Sequence, residues 1–265
     1  MNEIKKVKLF VNENEKSQNV AEKVRESLNK NGFIEVEDNY DLGIAIGGDG
    51  SFLRMVKESN FNSNILYVGI NAGTLGFAQD IEIHEVDSFI NCLKNENYLY
   101  EEIGIGEAEI SMNDSISNLY FLNEIVIRDK EFNTLGLEVL VDNHLLESYV
   151  GDGLLIATSF GSTAYNLSFG GSIVYNTFHT MQITPIAPLN NKSYRNLLNS
   201  VIIPSEKRIT LHPNRNGSNI MVMVDGDNKF YNNVDKIELS IHKTIKVIRK
   251  NDYNFIQKVN DKFLK

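Results

Sequence analysis

The chain of 265 residues is poor in the residues that cross-link or kink a chain, with a single cysteine, Cys92, and four prolines, and it has no tryptophan. One thiol excludes an intramolecular disulfide framework and a cysteine-based zinc site. Scattered prolines leave no Pro-rich linker. The histidines, His84, His144, His179, His212 and His242, lack ligand spacing, so no structural zinc site is expected. Positive charge is also short, with 26 Lys and Arg against 35 Asp and Glu and a formal net charge of −9. Without a basic stripe to neutralise phosphates, nucleic acid is not expected as a partner. Apolar runs such as Ile220 to Val224 fall far short of the ~20 residues of a membrane span. The start Met1 to Lys6 lacks the apolar core of a secretory signal. The expectation is a cytoplasmic protein with no membrane partner.

What is present reads as globular. A hydrophobic fraction of 42% and this length suit two domains. Lys8 to Asn12 predicts a strand, and Val20, Val24 and Leu28 have the spacing of an amphipathic helix that ends at Asn31-Gly32. Leu42 to Ile46 predicts a strand, Phe52 to Val56 a helix, and Ile65 to Ile70 a third strand ending at Asn71-Ala72-Gly73. Strand, helix and strand in alternation imply a Rossmann-like parallel sheet, whose ligands bind at the carboxyl ends of the strands. Near residue 100 the texture turns to alternating and β-branched runs, in Glu107 to Ser111, Leu119 to Ile127, Leu135 to Val141 and Ile220 to Val224. Turn chemistry separates them at Val141-Asp142-Asn143, Asn214-Arg215-Asn216-Gly217 and Asp225-Gly226-Asp227-Asn228. Asp252 to Leu264, with Phe255, Val259 and Phe263, predicts a closing helix. The expected division is an α/β domain over 1–98, with a helix over 250–265 packing back on it, and a mostly-β, sandwich-like domain over 99–249. Sites favour the junction of such domains.

The chemistry concentrates in Gly47-Gly48-Asp49-Gly50-Ser51, directly after an apolar strand. Small residues between a strand and a helix leave backbone N–H groups facing outward, a socket of phosphate size made by Gly47, Gly48 and Gly50. A carboxylate there needs a reason: Asp49 can hold a metal, accept a hydroxyl proton, or simply cap the helix. Three further clusters follow: Asn123-Glu124 inside an apolar run, Gly151-Asp152-Gly153, and Gly161-Ser162-Thr163-Ala164-Tyr165-Asn166. Asn123-Glu124 would cost stability if buried without partners, and ribose hydroxyls or an adenine edge are natural ones; an edge pair facing water is the alternative. Asp152 also fits a plain turn, and Ser162-Thr163 a helix N-cap.

In the order GGDG (Gly47 to Gly50), GINAGTLGF (Gly69 to Phe77), NE (Asn123-Glu124), GDGLL (Gly151 to Leu155), GSTAYNLS followed by GG (Gly161 to Gly171), ITPIAP (Ile183 to Pro188) and VDG (Val224 to Gly226), the chain resembles the NAD kinase family. The resemblance implies NAD in a crevice between an α/β domain and a β-sandwich-like domain, in a homo-oligomer, dimer or tetramer, with the site near a subunit interface. It implies transfer of phosphate from ATP, with magnesium or another divalent cation, to the 2′-hydroxyl of the adenosine ribose of NAD. On this resemblance Asp49 is the candidate general base. Asn123 and Glu124 contact adenine and ribose groups of NAD, Asp152 the nicotinamide carboxamide, and Asp225 the reacting ribose. Ser162, Thr163, Ala164, Tyr165 and Ala187 line the NAD site, Gly50 stands beside it, and Leu75, Gly76 and Phe77 close over the adenine side. No dedicated protein metal ligand is expected, the cation arriving with the phosphates.

Two departures stand out. Thr158-Ser159-Phe160-Gly161 replaces a common TPTG, and Tyr149-Val150 replaces a basic residue before the DG motif, leaving Lys192 or Arg195 as possible phosphate contacts. A lipid kinase of diacylglycerol type would use a similar glycine turn but wants an apolar or basic acceptor surface. A catalytically silent dinucleotide sensor would have no use for Asp49.

Overall fold

The computed structural model describes residues 3–73, 76–113, 115–215 and 217–265. It divides into two compact units, Met1–Glu102 with Ile245–Lys265, and Ile103–Thr244. The first opens with β1 (Lys6–Val11), α1 (Glu15–Asn31), β2 (Ile34–Glu35), β3 (Leu42–Gly47), α2 (Asp49–Glu58), β4 (Leu66–Asn71) and α3 (Val86–Lys94). The long strand β5 (Leu99–Met112) carries the chain onward into the second unit. There follow β6 (Ser115–Phe121), β7 (Glu124–Asp129), β8 (Leu135–Val141), β9 (His144–Gly151), β10 (Gly153–Thr158), the single-turn α4 (Tyr165–Ser168), β11 (Thr180–Ile186), β12 (Val201–Pro204), β13 (Ile209–Pro213) and β14 (Ser218–Val224). The 23-residue β15 (Asp227–Arg249) returns the chain to the first unit, and α5 (Phe255–Phe263) closes it.

In the first unit β1, β3 and β4 run parallel, with Val7 opposite Leu42 and Leu42 opposite Leu66. The end of β15 adds in parallel at Lys246 opposite Leu66. Helix α1 forms where the pattern predicts it: Asn14 accepts from Ser17 N–H at 2.8 Å, Gly32 ends the helix at φ 85°, and Val20, Val24 and Leu28 are buried. They join Leu42, Ile44, Ile46, Val68 and Ile70 in one core with Phe89 and Ile90 of α3. Each such side chain contributes roughly 1.5–3 kcal/mol by leaving water. Helix α3 was not foreseen in the sequence, although Val86, Phe89, Ile90 and Leu93 have helical spacing and are all buried.

The second unit is a set of antiparallel ladders. One runs β12-β11-β10-β7-β14-β15, and a second runs β9-β8-β13 and also pairs with β15. Ile125 and Ile156 of the first ladder pack with Leu137 and Leu211 of the second and with Phe121 of β6 in a shared core. The run Leu119 to Ile127, expected as a single strand, is two: β6 ends at Phe121 and pairs with β5, while β7 starts at Glu124 and pairs with β10 and β14. The break has a tertiary cause, since the amides of Leu122 and Asn123 bond to the Asp225 side chain instead of a ladder.

Candidate active site

Gly47 ends β3 at φ 150°, and a Cβ there would strike the Ser51 hydroxyl and stand 3.1 Å from Asn12 Cβ. Only glycine makes this turn. Gly48, in extended conformation, is the N-cap of α2, so Asp49 is the first helical residue and not the cap. Its carboxylate instead faces the segment after β4. Phe77 N–H donates to Oδ2 at 3.1 Å and Ala78 N–H to Oδ1 at 2.9 Å. A Cβ on Gly76 would collide with Asp49 Oδ1 and Gln79 Oε1, so the bare backbone is what allows this approach. Lys262 Nζ of α5 stands 3.5 Å from Asp49 Oδ2, whose side chain remains 38% exposed. A Cβ on Gly48 or Gly50 would meet nothing within 4 Å, so open space flanks the turn.

Behind this carboxylate lies a charged network that the sequence did not announce. Arg249, at the end of β15 and fully buried, pairs with Asp80 and, at 2.9 Å, with Glu101. Its guanidinium lies 4.6 Å from the centre of the Tyr253 ring. Lys258 of α5 donates to Asp80 and, at 2.9 Å, to the Gln79 carbonyl. Burial pulls the Lys258 pKa down while Asp80 opposes the shift. Breaking one partner of such a buried set costs about 3–5 kcal/mol. Phe77 is wedged beside Phe255 and Phe263, with ring centroids 6.2 and 5.4 Å away, and Lys262 lies over its face at 5.4 Å. Segment 76–80 is thus tied by backbone to Asp49 and by side chains to α5.

In the second unit Asp225 holds the predicted pair Asn123 and Glu124. It sits in the β14–β15 hairpin at φ 45°, followed by Gly226 at φ 90°, the mirror-image turn of tight hairpins. Its carboxylate accepts from three successive amides, Leu122 at 2.7 Å, Asn123 at 2.8 Å and Glu124 at 3.2 Å. Glu124 is buried, and its Oε2 has no hydrogen-bond partner among the described residues. Burial first, and then the charge of Asp225, push its pKa up to about 8, against an opposing backbone N–H from Tyr165.

Ser162 lies in a 3-10 turn, Phe160–Thr163, and is not a cap: fully buried, it bonds to the backbone of Val174. Thr163 and Ala164 are half-buried, while Tyr165 is exposed and edges onto Phe169 at 4.8 Å. Asp152, between β9 and β10, is exposed, as is Ala187, held at φ 45°. The departures from the common pattern are anchored. Thr158 Oγ1 donates to Leu122 O at 2.6 Å, Ser159 bonds Phe178 O, and Tyr149 is buried with its hydroxyl on Ile186 O at 2.7 Å. Lys192 and Arg195 are exposed. Leu75 lies outside the described residues.

Residues 122–248 match the family model described as the ATP-NAD kinase C-terminal domain. Over 99% of its length the chain is 39% identical to an NAD kinase of Finegoldia magna, covering 99% of that protein, and over 98% it is 32% identical to one of Streptococcus gordonii, covering 96%. The chain belongs to the NAD kinase family. Its fold agrees: a crystal structure of yeast NADH kinase complexed with NADH superposes with a TM-score of 0.87 at 19% identity, over 100% of this chain and 88% of that one. A crystal structure of an NAD kinase from Archaeoglobus fulgidus in complex with ATP gives 0.72 at 19%, over 96% and 98%. The expected fold class, an α/β N-terminal part and a mostly-β C-terminal part, is therefore that of NAD kinases.

Proposed function

We propose that Asp49 takes the proton of the ribose 2′-hydroxyl when this member of the NAD kinase family phosphorylates NAD from ATP. The observation that carries this reading is a carboxylate at the first position of the helix after a glycine turn, oriented by two backbone N–H groups and open on one side. As the bond from the 2′-oxygen to the γ-phosphorus forms, the bond from that phosphorus to the β,γ-bridging oxygen breaks. ADP departs and the proton rests on Asp49. A carboxylate already held in place needs no reordering in the transition state. The space beside Gly48 and Gly50 supports a phosphate cradle of Gly47, Gly48 and Gly50 at the α2 N-terminus.

Glu124, with a buried oxygen that lacks a partner among the described residues, is assigned with Asn123 to polar groups of the adenosine half. Asp225 acts through them, by holding their backbone. Asp152, Thr163, Ala164, Tyr165 and Ala187 offer the remaining surface to the dinucleotide, with Ser162 shaping it from inside. Among the described residues no three His, Cys, Asp or Glu side chains converge as metal ligands. With Asp49 the acid at the turn, this donor set fits a magnesium ion carried by the nucleotide phosphates, whose charge it would offset. Exposed Ile173, Tyr175, Phe178, Leu197, Leu198 and Ile202 favour a homo-oligomer. No helix is long and apolar enough to cross a membrane among the described residues.

Asp49→Asn tests the reading. Incubated with ATP, magnesium and NAD, it is expected to lose a factor of about 10² to 10⁴ in kcat while NAD affinity and melting temperature stay near those of the parent. Turnover near the parent rate overturns it.

A further inference from the structure

We propose that Lys262 is the side chain that meets the transferred phosphoryl group, an inference that rests on the Asp49 reading above. The γ-phosphate of a bound triphosphate brings concentrated negative charge to a chain of net charge −9. The position before the DG motif offers no cation, because Tyr149 and Val150 stand there and Tyr149 is buried against Ile186 O.

Most other cations of the first unit near this segment are committed. Arg249 is held by Asp80 and Glu101, Lys258 by Asp80 and the Gln79 carbonyl, Lys250 by Glu85 at 3.0 Å, and Arg54 by the Val11 carbonyl at 2.7 Å. Lys262 differs. Its ammonium is 3.5 Å from Asp49 Oδ2, makes no hydrogen bond among the described residues, and lies over the Phe77 ring at 5.4 Å. The Asp49 oxygens take their hydrogen bonds from the amides of Phe77 and Ala78 instead. A cation in the last turn of α5 also suits the helix dipole. That accounts for a charge at this height of the helix, but not for a stem that crosses Phe77 to reach the one carboxylate of the glycine turn.

A phosphorus atom bonding to the oxygen that Asp49 deprotonates lies within a few ångströms of that carboxylate. An ammonium already beside Asp49 reaches the equatorial phosphate oxygens by a small rotation, acting as a mobile point charge. Phe77 keeps the stem in place and Asp49 holds the charge until the phosphate arrives.

The experiment compares Lys262→Met, which keeps an apolar stem over Phe77, with Lys262→Arg and Asp49→Asn. It measures kcat, KM for each substrate, melting temperature, and the affinity for magnesium-ATP and for NAD by titration calorimetry. Lys262→Met is expected to lose at least tenfold in kcat and in magnesium-ATP affinity, with NAD affinity within threefold and melting unchanged, and Lys262→Arg to recover part of both. Lys262→Met with kcat and ATP affinity within twofold of the parent overturns the proposal. So does a loss that follows a lowered melting temperature and is equal for Met and Arg. If Asp49→Asn itself turns over normally, the reading of Asp49 has failed; if it is inactive while Lys262→Met is normal, only the assignment of Lys262 has failed.

Discussion

Asp49 in the first unit and Asp225 in the second use one device to opposite ends. Each is an acid beside a glycine, and each reaches across the chain to collect backbone amides from a segment far away in sequence. Asp225 gathers three and has a carboxyl group, Glu124, buried beside it. Asp49 gathers two, stays open to solvent, and has a cation at 3.5 Å. A carboxylate saturated by amides is a staple, and one left partly unsatisfied beside a cation and empty space is the one proposed above to take the proton. The difference lies in the surroundings, since the residue type is the same.

The sharpest way to break this contrast is to remove the staple. Asp225→Ala leaves the amides of 122–124 without their acceptor, and the second unit should lose about 3–5 kcal/mol in denaturant unfolding, with activity falling in step with folded protein. A variant as stable as the parent would mean that Asp225 is not structural. The next effect concerns Glu124. Its folded pKa of about 8 lies above the ordinary 4.5, so between those values the folded chain binds more protons than the unfolded one. Stability must then fall as pH rises from 4.5 to 8, by up to about 4 kcal/mol, and Glu124→Gln should remove that slope. Unfolding midpoints measured across this range check it, and a Gln variant with the parent slope would refute it. The smallest effect tests the open site. Gly76→Ala presses a methyl group onto Asp49 Oδ1 and Gln79 Oε1, and is expected to lower kcat about 10- to 100-fold while costing little in NAD affinity. Unchanged kcat would show that the carboxylate tolerates displacement.

Much of the first unit was legible because its signals are local. The Val20, Val24, Leu28 stripe, the Gly32 stop and the strand before Gly47 each depend on neighbours within a few turns. Helix α3 had an equally good stripe and went unread among polar residues. Strand β15 alternates buried Ile237, Leu239, Ile245 and Val247 along a segment rich in Asn and Lys, which hid its 23-residue length. The family motifs named the acids but not their surroundings. That Asp225 would bond to amides about a hundred positions away, splitting Leu119 to Ile127 into two strands, is a tertiary fact with no local mark. The same holds for Arg249, Asp80 and Lys258, and for Lys262, which carries no motif at all.

The wedge of Phe77 against α5 sets an order on the birth of the molecule. Asp80 and its partner Lys258 are 178 residues apart. At a synthesis rate of about 5–20 residues per second, Phe77 and Asp80 wait roughly 10 to 35 s for the segment that covers them. Through that interval the nascent glycine turn exists without its lysine and without the aromatic lid on its neighbour. The packing of Phe77 and Asp80 is therefore completed only once α5 has been made.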